Sequence, residues 1–461
     1  MKKEIAFILS SLCFFLSCKK DLFNEKDPFN ERVSGNSSLQ KAAVTTHPNI
    51  ILIVGDDIGH EILKCNGGQS YQTPNLDRMA AHGVRSTQCY ASPLCSPSRF
   101  MLLTGKYNFR NYTTWGIMDP GQKTIANMLQ DAGYKTLAAG KWQFDGGHTS
   151  IKTFGFHDYL VWEPYTGKNE LNAGSRYKNP NLYQDGAYLT SKQTKGKYGD
   201  DMFTDYIMEF LDSNYNKPDP FFIYYPMALA HKPFCPTPDD PGFASWDPDL
   251  NISDTSFFPS MIKYMDKKIG IIINKVQALG LAKNTLILYV GDNGSPVEIY
   301  SMFAGYLLRG GKGETTRIGT CVPFIATSPG NFVSGFVNND LIDFTDFLPT
   351  IASLAHVPKP LNYGILDGVD FAWQLYGESG TPRSQAFCHF DPHPGHGHIA
   401  RWAQTIQYKK YDSLTNTNQG NKFYDIISDG PEFHAIPAKS RTPEQKKINK
   451  TFDSLFRTMH N

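Results

Sequence analysis

Asn49-Ile50-Ile51-Leu52-Ile53-Val54 is an unbroken apolar, β-branched run that stops at Gly55-Asp56-Asp57. A run of this kind, closed by a turn signal, reads as a parallel strand buried on both faces. Leu286-Ile287-Leu288-Tyr289-Val290 repeats the pattern and stops at Gly291-Asp292-Asn293-Gly294. Lys135-Thr136-Leu137-Ala138-Ala139-Gly140 leads to Lys141, and Phe221-Phe222-Ile223-Tyr224-Tyr225 leads, six residues on, to His231. Four strand-like runs therefore deliver polar groups just past their carboxyl ends. Open α/β sheets bind ligands at that edge. A single Asp after a strand is usually a turn former. Asp-Asp and Asp-Asn pairs, with lysines and a histidine on the same inferred edge, exceed what turns require.

A second segment adds a reactive group. Cys95-Ser96-Pro97-Ser98-Arg99 is followed at once by Phe100-Met101-Leu102-Leu103-Thr104-Gly105-Lys106. Ser96 is expected to cap a helix whose first turn tolerates Pro97, since the missing N–H needs no partner there. Cys95 then sits at a helix N-terminus, where free N–H groups and the dipole favour anions. The bland alternative is an ordinary capped helix holding a small buried cysteine.

Together these motifs resemble a type I sulfatase of the alkaline phosphatase-like superfamily. Cys95-x-Pro-Ser-Arg99 with Leu102-Leu103-Thr104-Gly105-Lys106 is similar to the family's signature for oxidising cysteine to formylglycine. Asp56-Asp57 and Asp292-Asn293 resemble its calcium ligands. Gly140-Lys141-Trp142, His231 before Pro233, and Leu308-Arg309-Gly310-Gly311-Lys312-Gly313 resemble its sulfate-binding positions. The resemblance implies an α/β fold: a mixed, mostly parallel sheet sandwiched by helices, with a smaller C-terminal α+β domain on an antiparallel sheet. It also implies a sulfuric ester hydrolase using one Ca²⁺, held by Asp56, Asp57, Asp292, Asn293 and the modified Cys95. Carboxylates and an amide oxygen make a hard donor set that suits Ca²⁺ or Mg²⁺ on chemical grounds as well.

The residue types fit that chemistry. A sulfate ester is anionic and weakly electrophilic, so charge must be neutralised before attack. In the implied scheme formylglycine at position 95 offers two geminal hydroxyls. One displaces the alcohol from sulfur, and the other collapses to the aldehyde and ejects sulfate. Asp292 serves as base, Arg99 steadies the nucleophile, His231 protonates the leaving oxygen, and Lys141 and Lys312 pin sulfate oxygens. One position departs from the pattern: Gln143 stands where the family usually has a histidine. Either Gln143 keeps the hydrogen bond without titrating, or the acid–base role is lost or passes to His148.

The chain has 461 residues, room for a sizeable core, and Lys plus Arg exceed Asp plus Glu by one. No basic stripe points to nucleic acid. Lys2-Lys3, an apolar stretch from Ile5 to Leu16, and Phe15-Leu16-Ser17-Cys18 resemble a bacterial lipoprotein leader, with Cys18 lipidated. Simple secretion is the alternative. Residues 1–18 are thus expected to be a signal peptide, 19–46 a flexible tether, 47–384 the catalytic domain and 385–461 a C-terminal subdomain. The expected setting is an exported bacterial protein, periplasmic or on the cell surface, touching the membrane only through a lipid anchor. The expected partners are a sulfated glycan substrate and a formylglycine-generating maturase.

Several smaller expectations complete the reading. Thr73 to Met79 opens a helix, Pro323 to Ala326 is a core strand, and Asp346 is a cap or ion-pair partner. Arg401 to Tyr411 reads as one strand, with Lys422 to Ile427 returning beside it after a polar turn. Cys65 and Cys89 are either paired or free. His389, His393, His396 and His398 lie among prolines and glycines, which favours an irregular loop over a metal site. His393 and His396 are expected to contact the leaving group or a neighbouring sugar. Two other readings stay open: a phosphodiesterase or phosphonate hydrolase of the same superfamily, or a catalytically impaired binding lipoprotein. An arylsulfatase without sugar preference is a third.

Overall fold

The computed structural model describes residues 47–459 except Asp145, 165–173, Asn251 and Gly395. The leader, with Cys13 and Cys18, and the whole of the expected tether lie outside the described residues. In chain order the main sheet takes β1 (Asn49–Gly55), β2 (Val84–Tyr90), β3 (Lys135–Lys141), β4 (Asp158–Trp162), β5 (Leu182–Gln184), β6 (Ala187–Tyr188), β7 (Phe221–Pro226) and β8 (Thr285–Gly291). A hairpin, β9 (Tyr300–Phe303) and β10 (Tyr306–Arg309), interrupts it. The main sheet resumes with β11 (Cys321–Thr327), β12 (Phe336–Asn338) and β13 (Ile342–Asp343). Its order is β12-β2-β11-β8-β1-β7-β3-β4-β5-β6, with β13 beside β2. The stretch β8-β1-β7-β3-β4 is parallel throughout, whereas β11 runs antiparallel to both neighbours.

All four expected strands are present and adjacent at the centre of the sheet. Every residue of β1 and β8 is buried, as a doubly covered parallel strand requires. Ile50, Leu52 and Val54 pack into a core that includes Phe100 and Leu103 of the helix Cys95–Thr104, Ile125 and Leu129 of the helix Ile125–Asp131, and Leu348 and Ile351 of the helix Phe347–Leu354. Helix Phe258–Ala278 contacts both Pro74–Ala81, which packs on β11, and Gly199–Asn214, which packs on β3. Each fully buried Leu, Ile or Phe contributes roughly 1.5–3 kcal/mol of transfer free energy. The core therefore anchors the strand ends that carry the polar groups.

A separate antiparallel sheet follows, with β14 (Ala386–Phe390), β15 (Ala400–Gln404), β16 (Tyr408–Tyr411) and β17 (Phe423–Asp425) in sequential order. The single strand expected over Arg401–Tyr411 is thus two. Thr405 breaks it: its hydroxyl accepts from the backbone N–H of Gln407 and Tyr408, and its own N–H donates to Tyr408 O. A serine or threonine turn of this kind replaces ladder bonds locally. Asp346 is a cap and ion-pair partner as expected. It accepts from the Asp343 N–H at 2.8 Å and from Arg383 Nε at 3.0 Å. Cys65 and Cys89 are both free thiols.

Candidate active site

Strand register brings the acidic pairs together. Gly55 pairs with Gly291, so Asp56-Asp57 and Asp292-Asn293 leave β1 and β8 side by side. The Asp57 N–H donates to Asp292 Oδ1 at 2.9 Å and locks the two turns together. Asp57 has φ 61°, a left-handed conformation that Asp tolerates better than most residues. Lys141 is the last residue of β3. Just before it, Gly140 has φ 127°, and a Cβ there would lie 1.9 Å from the Pro226 carbonyl oxygen. Only glycine lets β3 reach so close to the end of β7.

Three loops close around these strand ends. The helix Cys95–Thr104 begins at Cys95 itself, with Leu94 in the cap position and extended (φ −135°, ψ 157°). Ser96 is therefore inside the first turn and caps nothing, which moves the expected start two residues earlier. Gly105, with φ 66°, ends this helix by donating its N–H to Met101 O. The loop bearing Lys312 is tied down by Lys312 N–H to Ser295 O and Gly313 N–H to Pro93 O, both at 2.9 Å. The His231 loop is held by the Tyr177 hydroxyl, which bonds the carbonyls of Ala228 and His231.

The resulting centre is dense in charge, with its carboxylates buried and Cys95, Lys312 and His231 partly open to solvent. Asp56, Asp57, Asp292, Asn293 and Lys141 are all at most 1% exposed. Lys141 Nζ lies 2.8 and 3.0 Å from the two Asp56 oxygens and 3.3 Å from Cys95 Sγ. Lys312 Nζ lies 2.7 Å from Asp57 Oδ2. His231 Nδ1 donates to Lys232 O at 2.6 Å, which leaves Nε2 facing Asp57 Oδ2 at 3.7 Å. Gln143 takes the position beside the cysteine, with Cys95 Sγ 3.9 Å from its Oε1.

Burial and neighbours set the protonation states. Burial, followed by the Asp56 charge, pushes Asp292 above the usual carboxylate range. Burial opposes the Asp56 charge too, but its cationic neighbours, Lys141 foremost, outweigh it and keep that carboxyl low. Burial works against the Lys312 ammonium, yet Asp57 holds it above its ordinary range. Burial, with Arg176 next, drives the His231 imidazole well below its ordinary value, so the ring is neutral in the ligand-free protein.

The donor set fits the hard divalent cation that the resemblance implies. Asp56, Cys95 and Asp292 each present a ligand atom within 4.8 Å of the others, as do Asp56, Asp57 and His231. Asn293 supplies the clearest sign. Its amide nitrogen donates to Asp57 Oδ1 and to Gly294 O, while its Oδ1 is buried with no hydrogen-bond partner among the described residues. A buried carbonyl oxygen left bare costs about 1–3 kcal/mol, and a cation would satisfy it.

Arg99 lies beneath the site. Its Nη1 donates to the carbonyls of Lys141 and Trp142 at 3.0 and 2.8 Å, and its guanidinium carbon stands 4.5 Å from the Phe144 ring centroid. It thereby fixes the end of β3 while remaining near Cys95 and Asp292. His148 is elsewhere: it is exposed and its Nδ1 bonds the Tyr159 hydroxyl, so it does not replace the family's usual histidine. His393, His396 and His398 are exposed on a loop, and among the described residues they form no metal-ligating group. That loop starts at Asp391, whose carbonyl accepts from the Tyr112 hydroxyl, and Tyr112 packs on Phe100. Sequence reading missed Arg176, 3.7 Å from Asp56. It sits in a polar loop with no periodicity or motif to mark it.

Comparison with known proteins agrees with this geometry. The sulfatase family model matches residues 48–357. Human arylsulfatase A is 30% identical over 422 residues, covering 85% of this chain and 79% of its own length. Mouse N-acetylgalactosamine-6-sulfatase is 31% identical over 368 residues, covering 72% and 67% respectively. A solved structure described as a complex with its substrate D-glucosamine-2-N,6-O-disulfate aligns with TM-score 0.67 and 21% identity, covering 90% of this chain and 97% of that one. The acidic strand ends, the cysteine at its helix start and the two converging lysines are thus set in a shared framework, and the chain belongs to the sulfatase family of enzymes.

Proposed function

We propose that this protein removes sulfate from a sulfated saccharide, using formylglycine made from Cys95 and one Ca²⁺ bound by Asp56, Asp57, Asp292 and Asn293. The observation that carries the reading is the junction of Cys95 Sγ, Lys141 Nζ and the Asp56 carboxylate within 3.3 Å contacts. When present, formylglycine supplies a geminal-diol nucleophile and Ca²⁺ a Lewis acid for a sulfate oxygen. The chain's own groups do the rest. Lys141 and Lys312 take sulfate oxygens and offset the charge that grows in the transition state. Asp292, raised by burial and Asp56, accepts the nucleophile's proton. His231 binds a proton at Nε2 as the substrate anion arrives and passes it to the leaving oxygen. Gln143 orients the nucleophile through its amide. Arg99 holds the Lys141 segment in place.

The saccharide assignment is supported by the names of the N-acetylgalactosamine-6-sulfatase relative and of the neighbour in complex with a disulfated glucosamine. The leader motif supports export, with lipidation at Cys18. Among the described residues, no helix is long and apolar enough to cross a membrane. The test uses matured protein with and without Ca²⁺ on defined sulfated sugars, an aryl sulfate and matched phosphate diesters. Ca²⁺-dependent sulfate release, fastest on a sugar, is expected. Faster cleavage of a phosphate diester, or no hydrolysis of any sulfate ester by protein proven to carry the aldehyde, overturns the reading.

A further inference from the structure

Arg176 is built into the site in a way that structural support alone does not explain. Its guanidinium carbon lies 3.9 Å from the centroid of Trp162, a cation–π stack. Trp162 ends β4 and is the register partner of Lys141, so the stack sets Arg176 beside the sulfate-binding lysine. The backbone on either side is anchored. Gly174 O accepts from the Trp162 indole at 3.3 Å, the Ser175 carbonyl accepts from Asn181 N–H, and the Tyr177 carbonyl accepts from Gly199 N–H. The Tyr177 hydroxyl reaches the His231 loop.

Among the described residues the guanidinium makes no hydrogen bond and only a long ion pair with Asp56. Its Nη1 stands 3.7 Å from Asp56 Oδ2, beyond hydrogen-bond reach, because Lys141 already occupies both oxygens of that carboxylate. The same Nη1 is buried and makes no hydrogen bond among the described residues. Stacking on an indole face leaves the edge of a guanidinium free for in-plane acceptors, which suits bidentate capture of an oxyanion. Charge points the same way. Three carboxylates (Asp56, Asp57, Asp292) face four cationic side chains (Arg99, Lys141, Arg176, Lys312) before any metal is counted. A divalent cation bound there would raise the excess to three positive charges, of which a monoanionic sulfate ester offsets only one, so a second anionic group brings the centre closer to neutrality. Arg176 also faces His231, the group assigned to the leaving oxygen.

We propose that Arg176 forms a second anion subsite beside the sulfate-binding centre, taking a carboxylate or a further sulfate carried by the sugar that bears the scissile ester. This rests on the sulfatase reading above and names its substrate class: dianionic rather than singly sulfated sugars. Arg176 is a specificity-determining contact on the leaving-group side.

Steady-state kinetics of matured wild type, Arg176→Gln and Arg176→Lys test it on three matched sugars: one sulfate only, sulfate plus carboxylate, and two sulfates. The expected result is a fall of at least about tenfold in the kcat/KM preference for a dianionic sugar over the singly sulfated one in Arg176→Gln, carried by KM. Arg176→Lys should restore part of it. A loss confined to the carboxylate sugar, or to the disulfated sugar, identifies which oxyanion is read. An unchanged preference overturns the proposal. Calorimetry with the sulfate-free carboxylate sugar gives a second readout, expected to show at least about tenfold weaker binding to folded Arg176→Gln than to wild type. Equal binding also overturns the proposal. Wild type inactive on every sulfate ester would sink the sulfatase reading, while calorimetry would still decide Arg176.

Discussion

The Lys141 ammonium lies 3.3 Å from the Cys95 sulfur, and it reaches that point from the last residue of a fully formed central strand. Its placement depends on Gly140, on Arg99 beneath its carbonyl and on the Asp56 carboxylate beside its nitrogen. Lys141→Met removes the charge and keeps much of the volume. It should lower kcat by about 10²–10³-fold, as loss of one preorganised oxyanion donor does elsewhere. Steady-state turnover of protein with a wild-type far-UV spectrum checks this; a loss smaller than tenfold would contradict the role.

Gln143 occupies a left-handed backbone position (φ 49°), with its N–H bonded to Glu163 O at 2.9 Å and its side chain turned to Cys95. An amide in that position orients a hydroxyl without titrating near neutrality. Gln143→His should therefore change kcat by less than tenfold while adding a pH limb between about 6 and 7 from the imidazole. A pH–rate profile measures both. A gain well beyond tenfold would mean that glutamine handicaps the natural enzyme.

The loop carrying His393 and His396 hangs from Asp391, next to Tyr112 and Phe100, and Leu94 packs against the cluster formed by β14 to β17. The C-terminal sheet thus adjoins the start of the helix that bears Cys95. Alanine at either histidine should raise KM for the saccharide substrate by about tenfold, the scale of one lost hydrogen bond to a charged group. An unchanged KM removes both residues from the substrate contacts.

Asp200 offers a pH test away from the catalytic centre. It is fully buried near the start of the helix Gly199–Asn214, and burial, with Asp201 adding to it, pushes its carboxyl up to about 7. An acid raised in the folded state binds its proton more tightly there than in the unfolded chain. Its contribution to stability is fully present below the unfolded value of about 4 and is lost as pH rises toward 7. Each tenfold gain in proton affinity corresponds to about 1.4 kcal/mol, so the loss amounts to a few kcal/mol. Urea unfolding at pH 5 and pH 8 should show a clearly smaller stability difference for Asp200→Asn than for wild type. An identical difference would place the pH dependence elsewhere.

The central strands were legible because a doubly covered strand leaves little choice of residue: β1, β8, β3 and β7 each read as apolar runs ending in polar groups. The catalytic edge followed, since parallel strands put all their carboxyl ends on one side. Asp56, Asp57, Asp292, Asn293 and Lys141 were found because they follow those ends, and Cys95 and Lys312 because they sit in motifs that resemble the family's. Arg176 was not, because nothing local distinguishes a loop arginine until Trp162 and Asp56 approach it in space. The break between β15 and β16 was hidden for a related reason. Thr405 and Ile406 favour strands by propensity, and only the bonds to the Thr405 hydroxyl turn the chain there. The helix at Cys95 begins two residues earlier than expected because Leu94 adopts the cap conformation without a side-chain bond.

The most direct test is the mass of the peptide spanning Cys95 from active protein, paired with the turnover of Cys95→Ala. The account predicts an aldehyde or its hydrate at position 95 and near-complete loss of sulfate release in the alanine variant. An intact thiol in fully active material, or undiminished activity with alanine there, would contradict it.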